Sequence, residues 1–139
     1  MTVTRRVALI VEDDPSLQQA MKKRLTEMGF EVLSALDYQS AVRHLEARKP
    51  DIVCVDVWLP RESGYELCEY IRSKPGLIHV PILVTSERTF PEDMAHAEEA
   101  GANAFLKKPF TMDRFAKYVD AMLDGPHSSR PSVRRLRLQ

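Results

Sequence analysis

Ile52-Val53-Cys54-Val55 runs without a break into Asp56, and Pro60 follows four positions later. An uninterrupted apolar run rich in β-branched residues reads as a strand buried on both faces of a parallel sheet. Asp56 then stands where that strand leaves the core, at its carboxyl end. Open parallel α/β sheets bind their ligands at the carboxyl ends of strands. The chain repeats the device. Val7–Val11 ends on Glu12-Asp13-Asp14, Val80–Val84 ends on Thr85-Ser86, and Ala102–Leu106 delivers Lys107-Lys108-Pro109.

Helical patterns fill the intervals. Asp14 caps a helix that starts at Pro15 and runs to about Met28, with Leu17, Ala20, Met21 and Leu25 on one face and Gly29 closing it. A short strand over Glu31–Ala35 leads to a helix over Tyr38–Arg48, which Pro50 stops. Further helices are predicted over Gly64–Ser73, Pro91–Ala100 and Thr111–Leu123, broken by Lys74-Pro75-Gly76 and Gly101 and capped at the last by Thr111. Strand and helix thus alternate five times. That pattern predicts an α/β fold, a doubly wound five-stranded parallel sheet flanked by five helices.

Residues 1–124 read as one folded domain, with Met1–Arg6 as a polar lead. Residues 125–139 are rich in Gly, Pro, Ser and Arg and read as a basic tail or linker. The formal net charge of zero hides this split: residues 1–124 hold 16 Lys and Arg against 20 Asp and Glu, and the tail holds four arginines and no acid. Arg130, Arg134, Arg135 and Arg137 could contact nucleic acid or an acidic partner, but so short a segment without apolar periodicity cannot form a DNA-reading module. Nucleic acid is therefore not the expected partner of this chain alone. Cys54 and Cys68 lack CxxC spacing and read as buried hydrophobes. His44, His79, His96 and His127 show no ligand spacing. With no membrane-length apolar run and no signal-peptide core, the expected compartment is the cytoplasm.

The polar residues at the strand ends carry the chemistry. If the strands of Val7–Val11 and Ile52–Asp56 are neighbours, Asp13 and Asp56 lie close together. Adjacent carboxylates repel unless a cation holds both ionised. An all-oxygen pocket with open positions suits Mg²⁺, which keeps waters and accepts a phosphate oxygen. Asp56 could then attack phosphorus to form an acyl phosphate. Lys108 offers an ammonium to one phosphate oxygen and the Thr85 hydroxyl can donate to another. Lys107, Ser86 and Glu87 read as exposed or loop residues, Glu87 bordering the reaction path.

The stretches "LIVEDDP", "PDIVCVDVWLPRESGYELC", "VPILVTS" and "GANAFLKKPF", in that order, resemble the receiver domain of bacterial two-component response regulators. The resemblance covers roughly residues 5–124. It implies a flavodoxin-like fold with strand order 2-1-3-4-5, Mg²⁺ as cofactor and Asp56 as phosphoacceptor. It further implies that Asp13 binds the metal directly, Glu12 mainly through water, and the Trp58 backbone carbonyl as a further ligand. Thr85 would be the switch hydroxyl, Lys108 the phosphate-binding lysine, and Phe105 the aromatic that swings inward. Phe105 has no hydroxyl, so a hydrogen-bonded outer state is closed to it. Trp58 is bulkier than the small or polar group many relatives carry.

The expected function is a phosphoacceptor switch, charged by a sensor histidine kinase or a phosphotransfer protein. Its output would pass to a downstream target or a second copy through the face of the fourth helix, fifth strand and fifth helix. It would catalyse only its own phosphorylation and dephosphorylation. A phosphatase built on an aspartyl phosphate is a rival, but such enzymes carry a second Asp where Trp58 stands. Two other readings are a receiver portion of a DNA-binding transcriptional regulator and an interaction module that needs no phosphorylation. The chain is expected to be a stand-alone receiver or part of a longer protein.

Overall fold

A computed structural model describes residues 5–123. The expected tail, its arginines and His127 lie outside the described residues, as does the boundary at 124. The elements are β1 (Val7–Val11), α1 (Pro15–Glu27), β2 (Glu31–Ala35), α2 (Tyr38–Ala47), β3 (Ile52–Asp56), α3 (Gly64–Ser73), β4 (Ile82–Ser86), α4 (Pro91–Ala100), β5 (Ala104–Lys107) and α5 (Met112–Leu123).

The five strands form one parallel sheet in the order β2-β1-β3-β4-β5, as expected. The unbroken apolar runs follow from burial on both sides. Leu9, Val11, Val53 and Val55 face a core shared with α2, α3 and α4. Their neighbours Ala8, Ile10, Ile52 and Cys54 face a second core under α1 and α5. Phe115, Tyr118 and Val119 of α5 are buried in that second core. Each large apolar side chain taken fully out of water contributes about 1.5–3 kcal/mol. The sheet therefore stays sandwiched rather than solvated.

Local chemistry sets the helix ends. The Asp14 carboxylate accepts from Ser16 N–H at 3.0 Å with Pro15 in the first turn, and Thr111 Oγ1 accepts from Arg114 N–H at 3.0 Å. Phe90, before α4, has no acceptor to offer, and Asp93 instead reaches back to accept from Phe90 N–H at 3.0 Å. Gly101 ends α4 with φ of +108°. A Cβ there would meet Arg72 Cγ at 2.6 Å, so both conformation and space demand glycine.

Two strands start later than the sequence suggests. β4 begins at Ile82 rather than Val80, because Val80 N–H closes a turn onto the Leu77 carbonyl and Pro81 has no N–H to give a ladder. β5 begins at Ala104 rather than Ala102, because Ala102 N–H still bonds to Ala97 O of α4. Both strands run further at their carboxyl ends, bringing Thr85, Ser86 and Lys107 into the sheet.

Candidate functional site

Register places the polar strand ends together. Val11 pairs with Val55, Asp56 with Thr85, and Ser86 with Lys107, so residues from β1, β3, β4 and β5 emerge at one edge. One carboxylate oxygen each from Glu12, Asp13 and Asp56 fall within 4.8 Å of one another. Glu12 and Asp56 are buried and Asp13 is exposed at the rim. The cleft around them holds about 610 Å³ and is bordered by Leu17, Trp58, Glu87, Pro109 and Phe110.

Lys108 is the cation of the site. Its Nζ donates to Glu12 Oε1 at 2.8 Å and lies 3.4 Å from Asp56 Oδ2. It follows β5, and Lys108 N–H is fixed on Ser86 O at 2.8 Å; the peptide to Pro109 is cis. Burial alone would lower the Lys108 pKa, but its bonds and charge interactions with Glu12 and Asp56 reverse this and raise it. The second Glu12 oxygen accepts from Asp14 N–H at 3.1 Å. Glu12 is thus occupied on both oxygens.

Asp56 sits differently. Burial first, and then the Glu12 charge, push its carboxyl up to about 6, with Lys108 and the Trp58 N–H opposing. That N–H donates to Asp56 Oδ1 at 3.3 Å. Three carboxylates against one ammonium leave two negative charges uncompensated. An all-oxygen set with that deficit fits a hard divalent cation.

The Thr85 hydroxyl is buried with no hydrogen-bond partner among the described residues. A buried hydroxyl left unpaired costs about 1–3 kcal/mol, so it is disposed to accept or donate to an incoming group. Phe105 is buried, inside the sheet layer that meets α4. The Trp58 side chain is 54% exposed. Lys107 is exposed, as expected.

Some readings change. Ser86 is not a loop residue but the buried end of β4, its Oγ accepting from Arg88 N–H at 3.1 Å. Gln18, which no sequence signal marked, ties two strand ends: its Nε2 donates to Glu12 O at 3.1 Å and Ala35 O at 2.9 Å. Gly64 passes so close to β3 that a Cβ would sit 2.3 Å from the Asp56 carbonyl oxygen. Of the histidines, His44 bonds the Ser34 carbonyl at 3.0 Å and His96 stacks on Tyr65. Both cysteines are free, buried and pushed up to about 12 by burial, which makes them unreactive. No helix among the described residues is long and apolar enough to cross a membrane.

Comparison with known proteins agrees with this geometry. The sensory transduction protein BceR of Bacillus subtilis is 37% identical over 90% of this chain and 54% of its own length. The chain spans about half the length of the curated relatives it matches. A chemotaxis response regulator of Vibrio cholerae superposes with a TM-score of 0.81 at 28% identity, over 84% of this chain and 98% of that one. The receiver domain of a Pseudomonas aeruginosa sensor histidine kinase, solved with magnesium in its active site cleft, gives 0.79 at 27% identity, over 88% and 100%. The sequence model of the response regulator receiver domain matches residues 8–120. The chain therefore belongs to the response regulator receiver domain family, the phosphoacceptor switches of two-component systems.

Proposed function

We propose that Asp56 accepts the phosphoryl group, from a histidine kinase or a phosphotransfer protein, in a pocket that Mg²⁺ completes. The observation that carries this reading is the meeting of Asp56, Glu12, Asp13, Lys108 and the unpaired Thr85 hydroxyl at one sheet edge. A carboxylate oxygen of Asp56 bonds to phosphorus, the bond from phosphorus to the donor atom breaks, and the donor leaves with that electron pair. Lys108 is close enough to pass from Glu12 and Asp56 to a phosphate oxygen, and Thr85 supplies a hydroxyl on the β4 side. Asp13, Asp56 and the Trp58 carbonyl would hold the metal, with Glu12 acting through water. When bound, Mg²⁺ offsets the charge of the carboxylates and of the phosphoryl oxygens. Thr85 and Phe105 then carry the change to the face of α4, β5 and α5, which meets a downstream target or a second copy.

On this reading the chain is a switch, turning over only its own phosphate. The exposed Trp58 beside Asp56 gives a direct test. Mg²⁺ should change its fluorescence, and acetyl phosphate should add a second change that Asp56→Asn loses. A folded protein silent to both ligands speaks for a module that needs no phosphate, as does a partner that binds Asp56→Ala as well as the wild type.

Some relatives are named transcriptional regulatory proteins, among them KdpE of Mycobacterium tuberculosis, of which the chain covers 47%. That supports a second reading, in which the chain is the receiver portion of a longer DNA-binding regulator. Phosphorylation-driven dimerisation in light scattering is expected on that reading, and a monomer in both states counts against it.

A further inference from the structure

Tyr65 joins the strand end that carries Asp56 to the start of α4, and the phosphoryl chemistry does not use it. Gly64 lies against the Asp56 carbonyl with no room for a Cβ, and its N–H donates to Val57 O at 2.7 Å. A bridge between Trp58 and Ser63 closes the same loop. These contacts tie the end of β3, this loop and the first turn of α3 together.

The buried Tyr65 is the next residue. Its hydroxyl donates to the Asp93 carbonyl in the first turn of α4 at 3.2 Å, and its ring stacks on His96 with centroids 3.9 Å apart and planes 26° from parallel. The Asp93 carboxylate in turn holds Phe90 N–H and pairs with Arg88 at 3.5 Å. The two ends of α4 are held unequally. At its far end the Arg72 guanidinium donates to Gly101 O at 3.0 Å, a charge-assisted bond roughly twice as strong as a neutral one. The near end meets α3 through the neutral Tyr65 bond and the stacked ring, the contacts that link it to the Asp56 loop.

We propose that Tyr65 is a positioning residue through which the state of the Asp56 pocket reaches the first turn of α4, along a route separate from Thr85 and Phe105. The inference rests on Asp56 being the phosphoacceptor. Amide hydrogen exchange of residues 93–97 in the full chain with Mg²⁺, before and after acetyl phosphate, reads the coupling, and intact mass on the same samples reads the phosphate. In the wild type, phosphorylation should change protection of this turn. Tyr65→Phe keeps the ring and loses the donor. Its α4 first turn should exchange about fivefold faster before phosphorylation, the loss of one ordinary hydrogen bond. The change on phosphorylation should shrink, although phosphate is still taken up. His96→Ala removes the stacking partner of Tyr65 at an exposed helix position and should shrink it too. Phosphate on Asp56 with a wild-type exchange response in both variants overturns the route through Tyr65. Absence of phosphate on Asp56 removes the parent reading instead, and the coupling with it.

Discussion

Asp56 holds its proton more tightly in the folded chain than an ordinary aspartate does, because burial and Glu12 outweigh Lys108. The sign follows from linkage. With the folded value raised from 3.8 to about 6, the folded chain binds more protons than the unfolded chain between these limits. The stabilisation from that proton is present below the lower limit and lost as pH rises through the upper one. Ionised Asp56 therefore destabilises the metal-free protein at pH 7, by up to about 3 kcal/mol at 1.36 kcal/mol per pKa unit. Urea unfolding without divalent cation should show Asp56→Asn more stable than the wild type at pH 7 and nearly equal to it at pH 4. A wild-type midpoint for the variant at both would mean that the carboxylate is not strained by its site. Trp58 acts at the same scale. Its side chain borders the cleft while its backbone N–H donates to Asp56 Oδ1, so an indole that hinders the hydrolytic water would lengthen the life of the phosphoryl group. Trp58→Asn should lose phosphate severalfold faster, and an unchanged lifetime would dismiss that role.

The helices and strands show where sequence pattern suffices and where it stops. The interval from Ile52 to Asp56 was legible because both faces are buried, and Asp14-Pro15 marked the start of α1 by capping chemistry alone. The starts of β4 and β5 were not legible from the apolar runs, since Val80 N–H turns back onto Leu77 O and Ala102 N–H onto Ala97 O. Asn103 Oδ1 accepts from Ile82 N–H at 2.8 Å and from Arg72 at 2.8 Å. Arg72 also donates to Ile78 O at 3.0 Å, Val80 O at 2.7 Å and Gly101 O, fastening α3, α4 and the approach to β4. Nothing in its sequence context distinguishes it from a surface arginine. Hydrogen bonds from a charged group are worth about 1.5–3 kcal/mol each, so Arg72→Met should cost at least that in urea unfolding. Arg72→Lys should recover little, because an ammonium cannot reproduce the fork. Gly64→Ala belongs to the same scale. Forcing a methyl against the Asp56 carbonyl should cost about 1–3 kcal/mol and shift the loop that presents Trp58.

In the whole molecule, parallel register turns scattered residues into one site. Glu12, Asp56, Thr85 and Lys108 were legible as strand-end polar residues, and the strand order carries them to one edge. The salt bridge from Lys108 to Glu12 was not legible, because it depends on which rotamers meet across β1 and β5. The proposed boundary near residue 124 makes its own prediction. A chain ending there should keep the urea midpoint of the full chain, and a lower midpoint would mean that the basic segment packs on the body.

The central claim is that Asp56 takes the phosphoryl group, and the most direct test is intact mass spectrometry after incubation with acetyl phosphate and Mg²⁺. The account predicts one added phosphoryl group that needs Mg²⁺, maps to the peptide containing Asp56 and disappears in Asp56→Asn. Phosphate that persists in Asp56→Asn, or none on a folded wild-type chain loaded with Mg²⁺, would contradict it.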